Sequence, residues 1–485
     1  MPCTTILIGK KASFDGSTMM ARNDDSGAGA YTPKKFVVVT PDKQPKIYKS
    51  VISHVEIPLP AKALCYTSVP NALKGEGLWA ASGINEKNVG MTATETITSN
   101  PRVLGADPLV VYKPAKGREK AVSGGIGEED LVTLVLPYIK SAREGVLRLG
   151  SLLEKYGTYE MNGIGFSDEN EIWWFESIGG HHWIAKRVPD DAYVVMPNQQ
   201  GIDEFDLTDA LGKGKDHLCS KDMKSFIEKA NLDLSMEKGY FNARFAFGSH
   251  DDSDHIYNTP RAWVMERYLN PGTFIWDGTD ADYTPESDDI PWSMIPEKKI
   301  TVEDVKRILS DHFQGTPYDP YSRTDNDGRR GKYRSIGVNR TDFMGLVHIR
   351  SGKEPLHWVS FGSGVFNVMV PFYSGGKKVP AYLSNTTGNV STENFYWSSR
   401  LIGALADAQY AKTAIHIERY QDKVQSRAYE IIYRYDSMKK FNADAADAAN
   451  AELAAMVKEE TDKALFNVLK ETSDHMKNSF ARSDA

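Results

Sequence analysis

Between residues 162 and 196 the chain delivers short apolar stretches, at 162–168, 171–176, 181–188 and 192–196, and a chain that does this has few folds open to it. Strands that arrive every ~8–12 residues, the first two joined by an Asp/Glu/Asn turn, read as one antiparallel sheet. The opening of the chain reads as a hairpin. Apolar residues 4–8 precede Gly9-Lys10-Lys11, an Asp15-Gly16 turn signal follows, and a second apolar run, 18–21, ends in Arg22-Asn23-Asp24-Asp25. A tight turn at residues 15 and 16 places Cys3 opposite about residue 28, whereas a longer loop or a bulge moves its partner towards Arg22. Residues 123–130 read as a loop feeding a helix at 129–143, with a second helix at 145–156, and the two cover one face of the sheet. From residue 391 the pattern turns helical: 400–406, 414–435 and an Ala-rich stretch at 443–469 carry apolar residues three or four apart. The expected organisation is a domain over 1–390 and a helical extension over 391–485 that packs on it or mediates self-association.

A chain of 485 residues suits about three domains or one elaborated α/β unit, and 41% hydrophobic with 25% charged residues supports an ordinary buried core. A net charge of −7 argues against nucleic-acid or anionic-membrane partners, which ask for a concentrated basic surface. No apolar run is long enough to span a bilayer, and no basic segment followed by a secretory-type apolar run opens the chain, so a cytoplasmic location is expected. Cys3, Cys65 and Cys219 are too few and too scattered for a disulfide framework.

Cys3 carries the main chemical signal. Once the residues before it are removed, one residue offers a thiol and a free α-amine, a nucleophile beside its own general base; otherwise it is a small apolar residue beginning a strand. The returning hairpin strand brings a charged cluster towards it. Arg22 presents a permanent cation with planar donors, and Asp25 is suited to anchor that guanidinium or the Cys3 ammonium; the alternative is a solvated strand-end salt bridge. Other motifs fail. His250 to His255 is rich in metal-ligand types but reads as a solvated loop, His217-Leu218-Cys219 lacks a second ligand pair, and the glycines at 124–127 lack the Gly-Lys-Ser/Thr of a phosphate loop.

Cys3-Thr4-Thr5-Ile6-Leu7-Ile8-Gly9-Lys10-Lys11-Ala12-Ser13, Asp15-Gly16-Ser17-Thr18 and Ala21-Arg22-Asn23-Asp24-Asp25 together resemble the opening of the cysteine dipeptidases of lactic-acid bacteria. Those enzymes belong to the N-terminal-nucleophile hydrolases, with penicillin V acylases and bile salt hydrolases. The block from Trp79 to Glu95 is similar to a family strand segment in which the acylase relatives carry an active-site Asn. Glu95 stands at that place, and a carboxylate there pairs with the α-ammonium of a peptide, so the resemblance makes Glu95 a selector of free N-termini. Asn198, which follows the strand at 192–196, occupies a place similar to the family's oxyanion-binding Asn; by itself it reads as a turn cap. Asn258 to Trp263 resembles the segment that brings a second arginine to the acylase site, making Arg261 a candidate for the substrate carboxylate or for pairing within a loop. Residues 335–341, 358–362 and 370–372 also look family-like and read as core strands without chemistry.

The resemblance implies an α+β fold, a four-layer αββα sandwich, with Cys3, Arg22, Asp25 and Asn198 catalytic and Glu95 and Arg261 binding substrate. It implies small peptide substrates, no cofactor, no metal and a homo-oligomer. Many acylase relatives carry the Cys directly after the initiator Met; here Pro2 intervenes and acylates the amine, so a short propeptide must be removed autocatalytically or by a host peptidase. Two other functions share these residues: an amidase for non-peptide acyl groups, and an inert binding or scaffolding protein with a blocked Cys3.

Overall fold

The structure, a computed structural model, describes residues 3–27, 29–93, 95–236, 239–324 and 327–476, without the Glu95 side chain. Its opening hairpin pairs Cys3–Ile8 with Thr18–Asp25, setting Cys3 across from Asp24, Thr5 from Arg22 and Leu7 from Met20. No tight turn forms at residues 15 and 16. Asp15 instead caps Ser17 N at 3.1 Å and meets His348 Nε2 at 3.0 Å, so a longer loop joins the strands. Gly9, at the start of that loop, passes so close to the chain at Pro189 that a Cβ would lie 2.3 Å from its carbonyl oxygen.

This register sorts the hairpin into two faces, because residues directly opposite and residues two apart share a side. Ile6, Ile8, Met19 and Ala21 join a core with Trp263, Val305 and Ile308, from the helices Thr259–Leu269 and Val302–Leu309. Leu7 and Met20, on the other side, join a core with Ile84, Trp174 and Ile184 of a second sheet. The first sheet runs Ser293–Met294, Tyr193–Met196, Cys3–Ile8, Thr18–Asp25, Thr341–Ile349, Leu356–Phe361 and Val370–Tyr373. The second runs His217–Cys219, His182–Arg187, Ile172–Ile178, Asn162–Ser167, Gly90–Thr92 and Ser82–Ile84, with Glu95–Thr96 also on Asn162–Ser167. Both are antiparallel.

The expectation that 162–196 forms one sheet is corrected. Tyr193–Met196 leaves the meander and pairs with Cys3–Ile8. Pro189 has no N–H to extend the ladder, and the Asp190 carbonyl accepts from Lys11 N at 2.7 Å, which carries the chain across to the first sheet.

The helix expected over 129–143 is also corrected. Leu131–Val135 gives way to a 3₁₀ turn, Leu136–Tyr138, with Pro137 inside it, and Ser141 then caps Ala142–Tyr156 by accepting from Glu144 N at 3.2 Å. These helices share a core with Ile164, Phe166 and Trp173 of the second sheet. Residues 335–340 are not a strand. Ile336 O is drawn to the Asn23 amide and Gly337 N to Asp311 O, so pairing begins only at Thr341. The three C-terminal helices, Phe395–Ala408, Tyr410–Asp436 and Ala443–Asp474, bury Phe395, Val424 and Leu453 in one core with Phe361 and Phe372 of the first sheet. No helix among the described residues is long and apolar enough to cross a membrane.

Leu7 is fully buried between the sheets. Leu7→Ala is expected to cost about 2–5 kcal/mol, read as a lowered urea midpoint at unchanged slope.

Candidate active site

Cys3 begins its strand fully buried, on the same face as Asp24 and Arg22. Arg22, 1% exposed, gathers the site around its guanidinium. Its Nη2 donates to Cys3 Sγ at 3.1 Å, to Asp24 Oδ1 at 3.1 Å and to Glu128 Oε1 at 3.0 Å. Nη1 donates to Ala81 O at 3.1 Å, and Nε to Asn23 O at 3.3 Å. Lys34 Nζ lies 2.9 Å from Asp24 Oδ2 and donates to Trp79 O at 2.7 Å. Burial works against ionising Asp24, but Lys34 and Arg22 outweigh it and hold its carboxyl below the usual range. Ligand-type atoms of Cys3, Asp24 and Glu128 lie within 4.8 Å of one another, as a metal would require. A guanidinium N–H group takes the place among them.

Asp25 differs from expectation. It lies on the other face of the hairpin, where Arg334 Nη2 donates to its Oδ2 and Thr341 Oγ1 to its Oδ1. Asp24, opposite Cys3, makes the contact with Arg22 that the sequence reading gave to Asp25, and strand alternation is the reason. That alternation was the available signal once the register was known.

Glu128 falls in the stretch that the sequence marks as a loop. It is the first of three consecutive acids ahead of an apolar helix. Glu129 accepts from Val51 N and Ile52 N, and Asp130 from Gly127 N and Tyr48 Oη, so both fasten backbone and loops. Glu128 alone turns to Arg22, while its own N–H donates to Glu160 Oε1 at 2.7 Å. Burial and then the neighbouring Glu128 raise the Glu160 pKa.

The backbone of Cys3 is held from the opposite side. Cys3 N donates to Asn198 Oδ1 at 3.1 Å, while Asn198 Nδ2 donates to Thr96 O at 3.0 Å. Arg261, fully buried, fixes which end of that amide faces Cys3, because its Nη2 donates to Asn198 Oδ1 at 2.7 Å. Nη2 also reaches Asn258 Oδ1, Nη1 donates to Cys3 O and Thr4 Oγ1, and Nε donates to Tyr257 O. Five N–H groups thus meet five protein acceptors, so Arg261 clamps the Cys3 carbonyl and the Asn198 amide in this structure. Thr96, Asn198, Asp254, Tyr257 and Asn258 line a cavity of ≈ 520 Å³ beside this clamp. The Glu95 backbone pairs with Gly163, and its side chain lies outside the described structure.

A model of the family described as "Peptidase family C69" matches residues 2–423. The chain belongs to peptidase family C69. This C69 peptidase is 52% identical to a protein named "Dipeptidase" from Bifidobacterium longum (strain NCC 2705), over all of both chains. It is 48% identical to a "Probable dipeptidase A" of Streptococcus pyogenes serotype M3 (strain SSI-1), again over all of both. Against a "Dipeptidase A" of Lactobacillus helveticus it is 42% identical over 90% of this chain and 88% of the relative.

Asp24→Asn leaves Arg22 and Lys34 without their shared counter-charge and is expected to cost about 3–5 kcal/mol in thermal or urea unfolding at pH 7. Asp24 has a lowered folded pKa, so its contribution is complete above the unfolded value of about 3.9 and disappears as pH falls through the folded one. The gap between wild type and Asp24→Asn should therefore narrow in acid. Arg22→Gln removes the cation beside the thiol, and alkylation of Cys3 by iodoacetamide at pH 7 is expected to slow by about tenfold or more.

Proposed function

We propose that this C69 peptidase hydrolyses dipeptides with a free N-terminus and broad side-chain tolerance, Cys3 acting as nucleophile and its α-amine as base, in an αββα N-terminal-nucleophile hydrolase fold. The carrying observation is that Cys3 is held at both ends, its thiol by Arg22 and its amide by Asn198 and Arg261. The names of the relatives support the substrate class.

Removal of residues 1 and 2 frees the amine. With reference values of about 8 for an α-amine and 8.5 for a thiol, neither group needs a large shift to exchange a proton at neutral pH. The thiolate adds to the peptide carbonyl, the C–N bond breaks, the amine passes its proton to the leaving amino acid, and water hydrolyses the thioester. Asn198 orients the Cys3 nitrogen through Oδ1, and its Nδ2 serves the oxyanion by exchanging Thr96 O for it. Asp25, paired with Arg334, supports the hairpin end that carries the new terminus.

The ammonium nitrogen of a dipeptide lies about 2.5 Å from the carbonyl carbon under attack, by ordinary bond lengths. Glu128 offers a carboxylate oxygen within 4.8 Å of Sγ, close enough to meet that ammonium. Glu95 is kept as a second acid for it.

Intact mass and N-terminal sequencing of the active protein are expected to show Cys3 first. Cys3→Ala should lower dipeptide turnover by about a thousandfold or more. Activity in a preparation that keeps Met1 and Pro2, or turnover of penicillin V and acylated amino acids without any of dipeptides, would sink the proposal.

A further inference from the structure

Arg334 stands on the far side of the hairpin from the thiol, with its side chain 7% exposed. Its Nη2 donates to Asp25, but Nε and Nη1 are buried and meet no acceptor among the described residues. Buried donors left without partners lose their hydration and gain nothing from the protein, so in a native site they point to a water, an ion or a ligand. The surroundings favour an anion. The Tyr257 ring lies 5.1 Å from the Arg334 guanidinium carbon and 5.1 Å from that of Arg261, and its hydroxyl accepts from Arg340 Nη2 at 2.9 Å. Three guanidinium groups thus surround one ring, and the carboxylate bonded to them among the described residues is Asp25.

Arg334 is also tied to the cavity beside Cys3. Its backbone N–H donates to Ile256 O at 3.1 Å, and Ile256 and Tyr257 line the cavity together with Asn198, the residue that accepts from Cys3 N. Asp251 and Asp254 on the same wall oppose any anion, a doubly charged one most, so among anions a single carboxylate is opposed least there. A dipeptide carries its carboxylate one residue beyond the scissile bond, a step of about 3.8 Å between Cα atoms. With Glu128 on the thiol side of the hairpin and Arg334 on the other, the two charges of a zwitterionic dipeptide meet opposite charges across Cys3.

We infer that Arg334 anchors the terminal carboxylate of the substrate and so limits this peptidase to peptides that end one residue after the scissile bond. The inference rests on the dipeptidase reading, since it assigns the second end of that substrate.

The processed wild-type enzyme is to be compared on alanyl-alanine and on its C-terminal amide. The free acid should be favoured by about tenfold or more in kcat/KM, chiefly through KM, and a tripeptide should resemble the amide. Arg334→Gln should bring the acid-to-amide ratio close to one, because loss of the Asp25 pair falls on acid and amide alike while loss of the anchor falls on the acid, with Arg334→Lys intermediate. Loss of the Asp25 pair alone would slow acid and amide alike and leave the ratio as in wild type; that result overturns the inference. Equal wild-type kcat/KM on acid and amide also overturns it and needs no variant to fold. Wild type inactive on every peptide but active on acylated amino acids overturns the dipeptidase reading, and this inference with it.

Discussion

One buried guanidinium organises the thiol side of the site. Arg22 cannot lose its charge under ordinary conditions, and at 1% exposure it requires a complete set of acceptors. Asp24 and Glu128 supply negative charge, Ala81 and Asn23 supply carbonyls, and the Cys3 sulfur completes the set. Lys34 then balances the second oxygen of Asp24. Removing the charge of Arg22, Asp24 or Glu128 takes a partner from another buried charge, so the site is stiff where it meets the sulfur. The Arg22 cation beside the sulfur favours a thiolate and the Asp24 and Glu128 carboxylates within 4.8 Å oppose one, so the charge balance of the hairpin bears directly on the thiol.

The amide side depends on a topological event. The chain runs through three strands of the second sheet and then, at Pro189 and Asp190, crosses to the first. The strand Tyr193–Met196 lies against Cys3–Ile8 and delivers Asn198 to the Cys3 nitrogen. The helix Thr259–Leu269 brings Arg261 to the same point, where it locks the Asn198 amide and the Cys3 carbonyl. Thiol and amide are thus governed by separate parts of the chain that converge on one residue.

Much of this was legible in the sequence, and the misses share a cause. The hairpin, the strands at 162–178 and the three C-terminal helices follow from period and turn signals, and the family resemblance picked out Cys3, Arg22, Asn198 and Arg261, which the structure brings together. Asp24 was passed over for Asp25 because spacing along a strand does not reveal which residue faces Cys3 until the loop length fixes the register. Glu128 was missed because a loop acid gains meaning only from its partner, and Arg22 is 106 positions away. The sheet crossing was missed because a run of regular strand spacing does not say which neighbour each strand takes. The structure brings Arg261 to Cys3, but how many of its donors are already used is a property of packing alone.

The separation of the parts also sets when the surroundings of Cys3 become complete. Cys3 is synthesised before its partners: its nitrogen partner lies 195 positions later and its carbonyl clamp 258 positions later. Until those segments arrive and the long-range pairing closes, the Cys3 backbone has neither its clamp nor the cavity beside it. The environment of Cys3 is thereby a property of the finished fold and of no segment synthesised before its last partner.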